Sequence, residues 1–370
     1  MRKFLRMAVA GLLATVMLII TATVESILPE QGSTESADTY MNEILGMENP
    51  EDMISLQDSM RAVFMTPEVD FSISDDGLSD IFNEVLEYGL NAVIINTSSE
   101  DDIFYNFDMS EQDNLNNVID LAHNAGLYVY LTLDCGKMIE DVIEQGGSLK
   151  KGFSAQVHKF TMKYSCEGIL LTNYYTQDNV EMYAEYLYSG SGIGYENWLY
   201  EINEFIIRTI SEIIHETRNT TAVGLLIENM WANKSSNEDG SDTLDTVEAL
   251  YDGFCDTKKY VESKYVDFNI VKAYGSTESN MMNFESIVSW WFELDRKYDV
   301  KTYVCHINER IGNCEGWNDD QLLRQLAVME KMDGIGGSAF NSFKTFQDNP
   351  LNSTNTLLKY FNDQINTQTL

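Results

Sequence analysis

The feature that most constrains this chain of 370 residues is an alternation of two hydrophobic periods from about Met60 to the carboxyl end. Short β-branched and aromatic runs recur: RAVFMT from Arg61, NAVIINT from Asn91, YVYLTLD from Tyr128, EGILLTN from Glu167, AVGLLIE from Ala222, FNIVKAY from Phe268, KTYVCHI from Lys301 and GIGGSAF from Gly334. Each has the length of a strand buried on both faces, as parallel sheets require. The segments between them place apolar residues at three-and-four spacing, the mark of an amphipathic helix. They are LSDIFNEVLEYG, LNNVIDLAHNAG, FSAQVHKFTMKY, WLYEINEFIIRTISEIIHETR, LDTVEALYDGF, FESIVSWWFELDRKY, DDQLLRQLAVMEK and NTLLKYFNDQI. Gly89 and Gly126 stand where a helix ends and the chain turns into the next strand. Eight such pairs predict an α/β protein with a single closed (β/α)8 TIM barrel over residues 59–370. A doubly wound open sheet would carry a glycine-rich phosphate loop after its first strand, and MTPEVDFS has no glycine.

Ahead of the barrel the composition changes. Arg2, Lys3 and Arg6 precede the uncharged run MAVAGLLATVMLIITATV, which Glu25 closes. Residues 1–26 read as a signal peptide or signal anchor: Val24 and Ser26 would serve a cleavage site, and the run is also nearly long enough to span a bilayer. The expected result is export, to the extracellular space or to the cell surface with membrane attachment through this segment. Residues 27–58, without a lysine or arginine, read as an acidic linker. A formal net charge of −35 argues against nucleic acid as a partner and leaves neutral glycans and peptides open. The scattered cysteines include no C-x-x-C pair and the four histidines no ligand spacing, so neither a metal nor another cofactor is indicated. Cys305 and Cys314 could close a small loop in an oxidising compartment, though buried free thiols are the plainer reading.

In a barrel of this kind the chemistry sits at the carboxyl ends of the strands. Those ends carry Thr66, Glu68 and Asp70; Asn96, Thr97 and Ser98; Asp134; Thr172, Asn173 and Tyr174; Glu228 and Trp231; Lys272 and Tyr274; His306, Asn308 and Glu309; Phe340 and Asn341. Tyr175 and Trp317 lie just beyond strand ends, and Trp290 and Trp291 read as packing residues of an outer helix. A mouth this rich in aromatic and polar side chains suits a carbohydrate, which stacks its apolar faces on rings and hydrogen-bonds through its edges.

Several stretches resemble the glycosyl-hydrolase-like family 10 domain, a bacterial family of extracellular barrels. YGLNAVIINTSSEDDIFYN is similar to its G-F-N-A-V-x-x-Q-V-R-P-x-G-D-A-x-Y segment, aligning Asp102 and Tyr105. LAHNAGLYVYLTLD is similar to A-H-x-x-G-L-x-V-H-x-W-x-N, EGILLTNYY to G-I-H-F-D-D-Y-F and VDFNIVKAY to V-D-Y-I-x-P-Q-x-Y. The resemblance implies an enzyme that hydrolyses glycosidic bonds of cell-envelope or extracellular polysaccharide, some members acting on peptidoglycan strands. The departures fall on polar positions: the aspartates ending the fourth strand become Thr172 and Asn173, the arginine after the second strand becomes Ser98, the asparagine after the third strand becomes Asp134, and the glutamine on the sixth becomes Lys272.

A glycosidase needs two carboxyl groups, one to protonate the leaving oxygen and one to act as nucleophile or base. The candidates that remain are Glu228 and Asp134, which end strands flanking the fourth. The structural alternative is that Asp134 bonds a loop backbone and Glu228 pairs with Lys272. Candidate sugar contacts are Asp102, Tyr105, Thr172, Asn173, Tyr174, Trp231, Lys272, Tyr274 and His306. The second functional class is an inactive glycan-binding or scaffolding protein that kept the cleft and lost its acids.

Overall fold

The computed structural model describes residue 54 and residues 56–71, 75–98, 114–146, 148–175 and 179–368. The leader, nearly all of the linker, and Asp102 and Tyr105 therefore lie outside the described residues. Eight strands, β1 (Met60–Met65), β2 (Ala92–Ile95), β3 (Tyr128–Asp134), β4 (Gly168–Thr172), β5 (Ala222–Ile227), β6 (Phe268–Ala273), β7 (Lys301–His306) and β8 (Gly337–Phe340), close in chain order into a barrel. Every pair is parallel, including β8 against β1. Around them run α1 (Pro67–Asp70), α2 (Asp75–Glu87), α3 (Asn114–Ala125), α4 (Cys135–Gln145), α5 (Leu149–Lys163), α6 (Val180–Ser189) and α7 (Tyr195–Thr217). They are followed by α8 (Thr257–Glu262), α9 (Phe284–Lys297), α10 (Gln321–Met329), α11 (Phe343–Asp348) and α12 (Ser353–Gln368). The strand pattern of the sequence is thus the observed architecture.

Which residues point inward is settled near the amino end of the barrel. Phe268 of β6 meets Tyr130 of β3 edge to face at 5.7 Å between ring centroids and Tyr303 of β7 at 5.8 Å. Rings from strands as far apart as β3 and β6 can touch only through the interior. Gly224 on β5 leaves room for this layer, since a Cβ there would overlap the Phe268 ring. Strand side chains alternate faces, so the inward series continues upward as Thr132 and Asp134, Leu170 and Thr172, Leu226 and Glu228, Ile270, Lys272 and Tyr274, and Cys305. The opposite series faces the helices. Asn269 and Thr302 accordingly reach out to the buried carboxyl of Asp295 on α9, at 2.7 and 2.9 Å.

A repeated clasp ties the amino ends. The residue just before an even strand accepts the backbone N–H of the second residue of the preceding odd strand: Asn91 from Arg61 at 2.8 Å, Glu167 from Val129 at 2.7 Å and Asp267 from Val223 at 2.8 Å. Gly336 occupies the equivalent place before β8, where a side chain would strike the Tyr303 ring. Two clasps carry a histidine from the adjacent helix, His123 on Glu167 at 3.1 Å and His215 on Asp267 at 2.8 Å.

One expected helix is absent. LDTVEALYDGF forms turns, and the helix after β5 is the short α8. The acidic residues that would form its polar face instead hold backbone N–H groups: Asp245 that of Met230 at 2.9 Å, Glu248 that of Asn233 at 2.7 Å, and Asp252 that of Glu248 at 2.7 Å. Asn203 of α7 donates to the carbonyls of Gly253 and Phe254. Local side-chain partners have outcompeted the helix ladder.

Two outcomes follow. Gly224→Ala forces a methyl into the Phe268 ring and should cost about 1–3 kcal/mol, read from urea denaturation. The hydrogen bonds to Glu167 and Asp267 raise the pKa of His123 and His215, with burial working against the rise. A base whose folded pKa is raised stabilises fully below its unfolded value and loses that contribution as pH rises through the folded one. The unfolding midpoint of the native chain should therefore fall more steeply than that of His215→Asn between about pH 6 and 8. Parallel slopes would remove the clasp histidines from the pH response.

Candidate functional site at the carboxyl end of the barrel

Two hydrogen-bonded clusters stand side by side at the mouth. The first centres on Asp134, which ends β3 and caps α4. Its Oδ1 accepts the Lys137 N–H at 3.0 Å, while Oδ2 accepts from Asn173 Nδ2 at 2.7 Å and from Ser98 Oγ at 3.3 Å. The side chain is buried. Asn173 reaches it because its backbone adopts the left-handed region, φ 45°, which ends β4 and swings the amide towards β3. Thr172 Oγ1 donates to the Leu133 carbonyl at 3.4 Å, at the long end of hydrogen bonding. The Asn173–Asp134 hydrogen bond thus sets an amide at the end of β4 against a carboxylate at the end of β3.

The second cluster centres on Glu228. Its Oε1 accepts from Lys272 Nζ at 3.0 Å and from the Tyr274 hydroxyl at 3.2 Å. The Glu228 side chain is 38% exposed and that of Lys272 only 18%. Burial pulls the Lys272 ammonium down, but the Glu228 carboxylate and the Tyr274 phenol more than offset it and leave the pKa above that of an ordinary lysine. Burial, with the Glu228 charge, also raises the Tyr274 phenol against the pull of Lys272. The Tyr274 ring lies 5.3 Å from both the Lys272 ammonium and the Arg310 guanidinium, and Arg310 Nη1 donates to the Tyr274 carbonyl at 2.6 Å. Arg310 belongs to a turn after β7 that no sequence pattern marks, and it is the cleft residue the sequence reading missed.

Several expected sugar contacts are placed differently. Tyr174 is buried, donates to the Leu226 carbonyl at 3.1 Å and packs edge to face on Tyr175. Trp231 is buried too: its Nε1 donates to Asp256 at 2.8 Å, its ring stacks on Trp290, and the Lys258 ammonium lies 4.7 Å from the ring. His306 belongs to the outward series of β7. It is fully buried, stacked against Phe284 and Phe340, with Nδ1 on Gln325 at 2.7 Å and Nε2 on Ser338 at 3.0 Å. Burial takes its pKa down to about 4, so it is neutral at physiological pH and packs behind the strand instead of facing a ligand. Counting by twos from Tyr303 would have shown this.

Elsewhere on the rim Asn96 donates to Thr66 at 2.9 Å, and Asn341 to Glu309 at 3.3 Å. Among the described residues no group of three or more His, Cys, Asp or Glu could hold a metal ion.

The chain is 21% identical over 165 residues to the glycosyl hydrolase YngK of Bacillus subtilis (strain 168), covering 44% of this chain and 32% of the relative. It is 22% identical over 217 residues to the glycosyl hydrolase DigH of Escherichia coli (strain K12), covering 54% of this chain and 47% of the relative. The chain thus spans about a third to a half of the length of these relatives. No family model matches it. Among solved structures, that of the β-glycosidase BGL167 superposes with a TM-score of 0.51 at 9% identity, over 83% of this chain and 97% of the other. That likeness shows the fold alone, a TIM barrel.

The Asn173–Asp134 pair gives a direct test. Asn173→Asp alone sets two carboxylates against each other and should lower stability by about 1–3 kcal/mol. Combining it with Asp134→Asn restores an amide–carboxylate hydrogen bond and should recover most of the loss, as a double-mutant cycle in urea would show. Additive losses would mean that the bond contributes nothing.

Proposed function

We propose that this chain is an exported glycoside-hydrolase-like barrel, related to the glycosyl-hydrolase-like family 10 domain, that holds a cell-envelope or extracellular polysaccharide at its mouth. Peptidoglycan glycan strands and uncharged glycans are both candidate ligands. The similarity to the two glycosyl hydrolases supports the carbohydrate class, and the amino-terminal run MAVAGLLATVMLIITATV supports export with attachment to the membrane where it is retained. A cleft of Glu228, Lys272, Tyr274, Asn173 and Thr172 offers donors and acceptors to sugar hydroxyls beside an aromatic ring.

What supports holding over cutting is the hydrogen bonding of Asp134. Its two oxygens accept three hydrogen bonds, one of them from the first turn of α4, inside a buried pocket. A carboxylate so engaged positions a helix and a neighbouring amide and is badly placed to exchange a proton with a ligand. Without it, Glu228 has no partner carboxyl on the strands flanking β4, so binding without cleavage is the primary reading.

Hydrolysis is the second reading, favoured by one feature. Glu228 is partly exposed and is oriented from one side by an ammonium and a phenol, as a glycosidic nucleophile would be.

Reducing-end release and glycan retention by the full chain, on a panel led by peptide-stripped peptidoglycan strands, separate the two. Retention without release, weakened at least about tenfold in Glu228→Gln, is the expected result. Release that falls by more than about a hundredfold in Glu228→Gln would make the protein a glycosidase and overturn the binding-only reading.

A further inference from the structure

The rim of the mouth beside β4, β5 and β6 carries apolar side chains that the fold does not cover. α6 lies between the carboxyl end of β4 and the amino end of α7, both on the mouth side, since in this architecture strands run towards the mouth and helices away from it. Its Tyr183, Leu187 and Tyr188 are exposed, Tyr188 by 92% and Tyr183 by 47%; Tyr183 and Leu187 stand one turn apart on one face, and Tyr188 projects about 100° round the helix from Leu187. Tyr183 is nonetheless held firmly: its ring meets Tyr195 of α7 edge to face at 5.0 Å, and Tyr195 stacks on Trp198.

The rim continues into the loop after β5. That loop is moored to the same helix by Tyr200 on the Leu250 carbonyl at 2.6 Å and by Asn203, which leaves Tyr251 exposed. The Leu244 N–H then donates to the Met281 carbonyl at 2.9 Å, bringing two more exposed apolar side chains together above β6. The result is an arc of tyrosines and aliphatic side chains around the side of the mouth that holds Glu228.

The charge around the arc narrows the occupant. α6 carries Glu181 and Glu185 and no lysine or arginine, and Lys234 is the sole basic residue between Glu228 and Asp256, a stretch that includes Asp242, Asp245, Glu248 and Asp252. Such a surface repels polyanions and anionic lipid. Glu181 and Glu185 on α6 can accept from sugar hydroxyls, and a ring held as Tyr183 is takes the apolar face of a pyranose with little loss of side-chain entropy.

From this placement we infer that the rim formed by α6 and the loops after β5 and β6 is an extended subsite for an uncharged polysaccharide chain, taking sugar units that project beyond the mouth. The inference rests on the carbohydrate reading above and deepens it: the ligand is a polymer, and its outer units are uncharged.

The test measures binding of the full chain to dimers and hexamers of β-1,4-linked N-acetylglucosamine, glucose and mannose, with polygalacturonate as the anionic comparison. The native chain should bind one hexamer series at least about tenfold more tightly than its dimer, and should not bind polygalacturonate. Tyr183→Ser/Tyr188→Ser/Tyr251→Ser should lose that length dependence and keep the dimer affinity. Tyr188→Ser alone, at a side chain that supports nothing in the fold, should lose part of it. Equal affinity for dimer and hexamer, or a length dependence untouched by the variants, overturns the rim subsite and leaves the mouth reading standing. No binding to any uncharged series overturns the rim subsite, while retention of peptidoglycan strands would leave the mouth reading standing. Sedimentation showing self-association that Tyr188→Ser abolishes, without any effect on glycan binding, would assign the arc to a second copy of this chain and also overturn the proposal.

Discussion

The aromatic layer of Tyr130, Phe268 and Tyr303 near the amino end of the barrel is the packing contact on which the mouth depends. It fills the narrow interior and is admitted by Gly224, where any side chain would collide with a ring. Because strand side chains alternate, it also fixes the parity of every residue above it. Glu228, Lys272 and Tyr274 point into the mouth for the same reason that Gly224 and Phe268 sit inside the barrel. His306 points away from the mouth for the same reason that Tyr303 points in.

Above that layer the mouth divides its polar residues between two tasks. Asp134 and Asn173 join β3 to β4 and start α4, a structural use of a position where the resemblance implies chemistry. Glu228, Lys272 and Tyr274 form a charged cluster that remains partly open to solvent. Lys272 keeps its charge in a largely buried place because Glu228 and Tyr274 offset the cost of taking an ammonium out of water.

The loop after β5 shows how a local pattern can mislead. LDTVEALYDGF has the spacing of an amphipathic helix, but Asp245, Glu248 and Asp252 find backbone donors within reach and Asn203 supplies donors for its carbonyls. Periodicity records which face is apolar. It does not record what the polar face will meet, and here it meets the backbone of its own loop.

The eightfold alternation, the lengths of the runs and the glycines at turns were legible in the chain, because burial on both faces of a parallel strand and on one face of a helix leaves a periodic trace in residue order. Residue order also named Glu228, Lys272 and Tyr274 as mouth residues, since strand ends can be counted along the chain. It could not show that Asn173 would turn into the left-handed region and hydrogen-bond Asp134, that Arg310 would come over Tyr274 from beyond β7, or that Tyr174 and Trp231 would be buried. Those outcomes depend on contacts between strands and loops distant in sequence, where a hydrogen bond or a ring face is claimed by whichever partner the closed barrel brings nearest.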